Sequence, residues 1–282
     1  SFVVDGQVGI KDPSGMTGIR LEVDTQIIQG LTSHIKNLTK SVYRTGLDIE
    51  DIVLSSLAAS EAVLTKRQRE LGSILINIGA ATTSIIVFEE GDIVHTSILP
   101  IGSDHVTSDI AIGLRTSIDI ADRVKLEYGN CIPSEVGEDE DIDLGQLGEE
   151  TGVISRKYVS QIIEARVEEI FEKIDKELIS IGRSGLLPAG AVLIGGGSKL
   201  PGIVEVAKRV LRLPATLGYP RDLYSAIDKV NDVAFSTAVG LVKWGESMSS
   251  QKSNKGSKWK SGFKSVDAFG KKVGGWFKSL MP

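Results

Sequence analysis

The 282 residues are 41% hydrophobic and 24% charged, with a net charge of −5, one cysteine and three histidines. Such a chain is long enough for two globular domains. The single Cys131 excludes an internal disulfide framework or a cysteine-cluster metal site and fits a reducing cytoplasm. No apolar run of 18 residues offers a membrane-spanning helix, and Ser1–Val4 lacks the basic start and apolar core of a signal peptide.

The chain passes at once into strand-like alternation, which reads as a fragment lacking its true N-terminus. Residues 1–29 are expected to be extended around a turn at Asp12-Pro13-Ser14-Gly15, with Ile19, Leu21 and Val23 alternating. A helix is predicted from Thr32 or Ser33 to a C-cap at Gly46, with Ile35, Leu38 and Val42 on one face. Ile52–Leu54 reads as a strand and Ala58–Leu64 as a short helix. Three strands follow, at Ser73–Ile78, Ser84–Phe88 and Ile93–Leu99, with Glu89-Glu90-Gly91-Asp92 as a turn. Helices are predicted over Ser103–Leu114 and Ile118–Tyr128. The acidic, glycine-punctuated residues 129–152 suit a long loop or a poorly hydrophobic hairpin.

A long helix over Ser155–Ile181, N-capped by Ser155, places Val159, Ile163, Val167, Ile170 and Ile174 on its buried face. A buried strand at Ala191–Ile194, a glycine turn and a helix over Leu200–Leu211 come next. The last helix of the body is predicted over Asp232–Trp244, followed by a flexible linker over 245–257.

Two motifs point to a ligand. Gly195-Gly196-Gly197-Ser198 separates a buried strand from a helix, so backbone can approach a ligand closely and the helix end offers free N–H groups. A tight strand–helix turn without a ligand is the plain alternative. Ile76–Ser84 forms a strand, a small-residue tip and a second strand. Gly79, Thr82 and Thr83 there can donate N–H and hydroxyl groups to phosphates, while an ordinary hairpin is the plain alternative.

The two motifs in this order resemble the actin/Hsp70 superfamily, an α/β, ribonuclease H-like fold that holds nucleotide between two related halves. More closely, the chain resembles the FtsA family of bacterial division proteins. The segments that carry this are Gly9–Pro13, Gly15–Leu21, Asp109–Thr116, Ile163–Phe171, Leu186–Gly190, Gly195–Gly202 and Thr237–Leu241. The resemblance implies that 1–55 is the remainder of an SHS2-type subdomain 1C, a self-assembly surface. It makes 72–129 and 190–230 subdomain 2A, 130–189 subdomain 2B, and 56–71 with 231–244 a return to 1A.

It also implies ATP with Mg²⁺ near Gly79, Thr82, Thr83 and Gly195–Ser198, with Asp122 or Arg123 and Lys125 near adenine or ribose. A solvated helix face is the plain alternative for Lys125. Subdomain 2B would dock the C-terminal tail of FtsZ, the tubulin-like ring protein, through Arg166 and Glu169. These two share a helix face, and an intrahelical ion pair is the alternative. The family hairpin commonly reads Asp-Ile-Gly-Gly-Gly-Thr-Thr-Asp. Here Asn77 and Ser84 stand for the two acids, and Ala80 and Ala81 for two glycines. Mg²⁺ prefers carboxylate and phosphate oxygens, so poor hydrolysis is expected.

The C-terminal stretch is legible without any family. From Gln251 onward there are eight lysines against Asp267 alone, a surplus of seven positive charges on a chain of net −5. Trp259, Phe263, Val266, Phe269, Val273, Trp276, Phe277 and Leu280 recur at helical steps, while Lys260, Lys264, Lys271, Lys272 and Lys278 fill the remaining surface. That pattern fits a helix lying on an anionic membrane, residues 258–282, which Gly270, Gly274 and Gly275 leave to form mainly on binding. A helix packed on its own domain, or a nucleic-acid or calmodulin-type arm, is the alternative.

The expected function is therefore an adaptor, not an enzyme, that tethers FtsZ filaments to the cytoplasmic face of the plasma membrane at the division site. It would self-associate and meet other division proteins, but no nucleic acid. An ATPase or kinase of the same superfamily, or a pilus-assembly scaffold, is the rival reading. His34, His95 and His105 are too dispersed for a metal or catalytic set, and Glu138–Asp141 reads as a solvated loop.

Overall fold

The computed structural model describes residues 2–148, 152–222 and 228–255. Strands β1 (Phe2–Val4), β2 (Gln7–Ile10) and β3 (Leu21–Val23) make a small antiparallel sheet in the order β2-β1-β3. The Asp5 carboxylate accepts from the Ile19 and Arg20 amides and fixes the return of the chain into β3. Helix α1 (Thr32–Tyr43) follows, but it buries none of its side chains. Ile35 and Leu38, predicted on one face of this helix, are exposed. Residues 52–54 form no strand, and the chain leads directly into α2 (Ser55–Val63) and α3 (Lys66–Leu71). Helix α3 escaped the sequence reading because it is only six residues long; a Thr65–Gln68 capping box nucleates it.

The main sheet is built from β4 (Ser73–Ile78), β5 (Thr83–Glu89) and β6 (Asp92–Leu99), an antiparallel meander. Helices α4 (Ser103–Leu114) and α5 (Ile118–Tyr128) lead to a short hairpin, β7 (Asp141–Asp143) with β8 (Val153–Ser155). The 129–152 region thus supplies one strand of a hairpin, the alternative to a long loop, with its partner β8 just beyond it. The long α6 (Arg156–Ser180) follows; Ser155 stands at its N-cap, but its side chain makes no capping bond. Strand β9 (Ala191–Ile194), α7 (Ile203–Leu211), β10 (Ala215–Leu217) and α8 (Ser236–Lys255) complete the described chain.

The strand order is β10-β9-β4-β5-β6, with β9 parallel to both β4 and β10. Both faces of this sheet are covered, which explains why β4, β5 and β9 read as nearly continuous apolar runs. Ile74, Ile76 and Ile78 join Val106 and Ile110 of α4, Val167 and Ile170 of α6, and Val206 of α7 in one core. Leu75, Ile86, Phe88, Val192 and Ile194 point to the other face, where they meet Ala59, Ala62 and Val63 of α2 and Val239 of α8.

The segments that the resemblance gave to subdomain 1A therefore lie on this sheet as a third layer. Helices α2 and α8 cross closely because Gly240 leaves room for Ala58: a Cβ at Gly240 would sit 1.9 Å from the Ala58 carbonyl oxygen. Helix α8 also corrects the expected linker, since its backbone stays helical through Lys255. Within 245–255 only Gly245 is a poor helix former of the glycine kind, costing about 1 kcal/mol against alanine. An anchored helix propagates through such a residue.

Candidate functional site

The parallel register of β4 with β9 sets Asn77 beside Ile194, so both strands end together and both motifs emerge side by side. Ligands in open α/β sheets bind in this place, outside the carboxyl ends of parallel strands. Gly195 has φ of +90°, and a Cβ there would lie 2.4 Å from both Asn77 Oδ1 and the Ile78 carbonyl oxygen. Glycine is thus required for the strand to turn against its neighbour, which is a packing reason independent of any ligand. Gly196 faces open space and is exposed, whereas Gly197 and Ser198 are buried. The Ser198 hydroxyl donates to the Gly195 carbonyl at 2.7 Å and braces the turn from inside, so it is not presented outward as the sequence suggested.

At the hairpin tip, the Gly79 amide donates to the Thr82 carbonyl at 2.9 Å. Thr82 is exposed, but Thr83 is fully buried and its hydroxyl donates to the Ile101 carbonyl at 2.8 Å. Thr83 therefore corrects the expectation of a phosphate-facing hydroxyl. The carbonyls of Gly79 and Ala80 accept from the Ser103 and Asp104 amides, which ties the tip to the first turn of α4. Asn77 and Ser84, the two neutral residues at the ends of the hairpin, are direct cross-strand partners. An amide and a hydroxyl are poor ligands for Mg²⁺ beside carboxylates, and the donor set here does not fit that ion.

Lys125 is not on a solvated face. Its side chain is 8% exposed, and its ammonium donates to the Thr107 hydroxyl at 2.7 Å and pairs with Asp122 at 2.6 Å. Thr107 in turn donates to Asp122 at 3.3 Å. The cluster pins α5 to α4. Thr107 has no motif that a sequence reader could have used; only the packing of the two helices reveals it. The hydrogen bonds and ion pair of this cluster join α4 and α5 and do not extend to the Gly195–Ser198 turn.

Arg166 is engaged on two sides. Its Nη2 donates to Asp109 Oδ1 at 2.8 Å, its Nε donates to the other oxygen of Asp109, and its Nη1 pairs with Glu169. The fork links α6 to α4 and raises the Arg166 pKa, first through the hydrogen bond to Asp109. Glu169 also approaches Lys173 at 3.4 Å. The acidic run at 138–141 is drawn into ion pairs as well, Glu138 with Lys157 and Glu140 with Arg156. His95 pairs with Glu177 at 2.9 Å, and His105 Nδ1 accepts from the Gly102 amide.

Among the described residues, no group of three or more His, Cys, Asp or Glu side chains could hold a metal ion. A cleft framed by Asp24, Thr25 and Gln26 with Glu89, Glu90 and Asp92 lies at the other end of the sheet from the glycine turn. The membrane-facing residues expected in the tail lie outside the described residues: Trp259, Phe263, Phe269, Lys271, Lys272, Val273, Trp276, Phe277, Lys278 and Leu280. No helix among the described residues is long and apolar enough to cross a membrane.

Residues 74–240 match the family model described as Cell division protein FtsA, and residues 1–29 match the SHS2 domain inserted in FTSA. Similar curated proteins include the cell division proteins FtsA of Pseudomonas aeruginosa, 38% identical over 86% of this chain, and of Borreliella burgdorferi, 37% identical over 98%. The chain spans 59% of the first of these and 67% of the second. Among solved structures, MreB5 of Spiroplasma citri bound to ADP superposes with a TM-score of 0.63 at 16% identity, covering 80% of this chain and 68% of that one. A PilM–PilN type IV pilus biogenesis complex gives 0.58 at 18% identity, covering 75% and 57%. At such identities the likeness concerns fold alone, and the fold is actin-like α/β.

Proposed function

Because the chain belongs to the FtsA family of cell division proteins, we propose that it is a division adaptor that ties FtsZ filaments to the cytoplasmic face of the plasma membrane. The observation that carries this reading is the family match over residues 74–240 joined to a C-terminal stretch whose lysines and aromatics suit an anionic membrane surface. Work of this kind is binding and self-assembly rather than turnover. Nucleotide, where it binds, sits at the carboxyl ends of β4 and β9, against Gly79, Thr82 and the Gly195–Gly197 turn.

The protein's own residues there position and brace. Ser198 and Thr83 stiffen the two loops from within, and the Asp122–Thr107–Lys125 cluster keeps α4, which abuts the hairpin tip, in register with α5. The absence of a carboxylate at positions 77 and 84 supports little or no hydrolysis. In the 2B region, Glu169 and Arg166 are the surface offered to the FtsZ tail. Both are held in ion pairs, and Glu169 is the more exposed of the two, at 42% against 24%. Unchanged affinity for an FtsZ-tail peptide after Glu169→Ala would remove that placement.

The first test is co-sedimentation with vesicles of rising anionic lipid content, comparing the whole chain with one ending at Ser257. Binding that needs the tail and weakens with salt is expected. Equal sedimentation of the two chains would overturn the adaptor reading.

A further inference from the structure

The glycine turn and the start of α8 are joined at one carbonyl. The Gly195 amide donates to the Val233 carbonyl at 3.1 Å, and the buried Ser236 hydroxyl donates to the same oxygen at 2.9 Å. Ser236 opens α8. Residues 232–235 reach this position through a short turn that Asp232 closes, its Oδ1 accepting from the Ala234 amide at 2.9 Å. The other oxygen of Asp232 pairs with the Lys199 ammonium, at the far end of the Gly196–Lys199 3-10 turn. The loop is thus bound at both ends of the glycine turn, to Gly195 by backbone and to Lys199 by charge.

The far side of the joint is rigid. Val233 is buried, Val239 belongs to the core under the sheet, and Gly240 rests against Ala58 with no room for a methyl group. A helix seated so closely moves as a body, because packed interiors have discrete arrangements rather than continuous give.

We infer that the Lys199–Asp232 pair is a strap that couples the turn after β9 to α8, with the Val233 carbonyl as their shared joint. Asp232 is a positioning residue: it holds the loop that fixes the turn and the helix together. Since α8 is the last described element before the lysine-rich tail, a displacement at the turn reaches the base from which the tail departs. The strap stands on these contacts and does not require that nucleotide be bound.

Amide hydrogen exchange on the full chain tests it, comparing wild type, Asp232→Asn, Lys199→Met and the double variant. The strap predicts about two- to fivefold faster exchange in both the 193–200 and the 236–246 peptides for each single variant, with no further increase in the double. Peptides from β4 serve as the internal control and should be unchanged. Faster exchange confined to the 232–234 loop or to the turn alone would overturn the coupling. So would additive effects in the double variant, or a uniform rise that includes β4, since the pair would then be an ordinary stability contact. Lys199→Met removes only the exposed partner and keeps the comparison readable should Asp232→Asn fold poorly.

Discussion

Asn77 in β4 and Ser84 in β5 face each other directly across the antiparallel ladder, while Asn77 Oδ1 also lies against the Cα of Gly195. The hairpin and the glycine turn therefore meet at an uncharged pair, in the place where the resemblance leads one to expect two carboxylates.

The first prediction concerns that pair. A fluorescent ATP analogue titrated into the chain should bind with affinities within about threefold of each other in Mg²⁺ and in excess chelator, because no carboxylate there helps hold the ion. A tenfold or larger gain from Mg²⁺ would show that the neutral pair is not the governing feature.

The second concerns the α2–α8 crossing. Gly240→Ala ought to gain about 1 kcal/mol of helix propensity. A methyl group 1.9 Å from the Ala58 carbonyl oxygen forces the helices apart. Overpacking of this kind costs about 1–3 kcal/mol, so the net effect should be a loss. Urea unfolding at constant slope checks the sign, and a stabilised variant would mean that the crossing is looser than it stands here.

The third concerns Cys131. Burial pushes its thiol from 9.0 up to about 12, with smaller contributions from Glu164 and Glu205. The native thiol stays neutral while the unfolded one ionises above about pH 9, so its contribution to stability is whole below pH 9 and declines between 9 and 12. Iodoacetamide at pH 8 should label Cys131 only after unfolding. The stability advantage of wild type over Cys131→Ala should shrink from pH 8 to pH 10.5. Prompt labelling of the native chain would contradict the burial that underlies both expectations.

Much of the architecture was legible because its periods are strong. The predicted bounds of β4, β9, α4 and α5 match the structure, where Ser117 caps α5, its hydroxyl accepting from the Ile120 amide. Less could be read where the pattern is shared by two outcomes. Thr82 and Thr83 are identical in sequence terms, yet Thr82 lies exposed in the tip while Thr83, which opens β5, is buried with its hydroxyl on the Ile101 carbonyl. Ile35 and Leu38 share one helix face, as their spacing predicts, but spacing does not show what covers that face, and α1 buries no side chain.

By itself the sequence determined the bounds of the strongly periodic elements β4, β9, α4 and α5, the two glycine-bearing turns, the charge contrast between body and C-terminal stretch, and the resemblance that the comparisons upheld. These depend on local spacing and composition, which survive in a one-dimensional reading. Only the tertiary structure decided which polar side chains are spent on the fold. Lys125 with Thr107, Arg166 with Asp109, and Lys199 with Asp232 are 18, 57 and 33 residues apart. A charge or hydroxyl has no fixed role until folding brings it an acceptor, and those acceptors lie on elements that meet only in space.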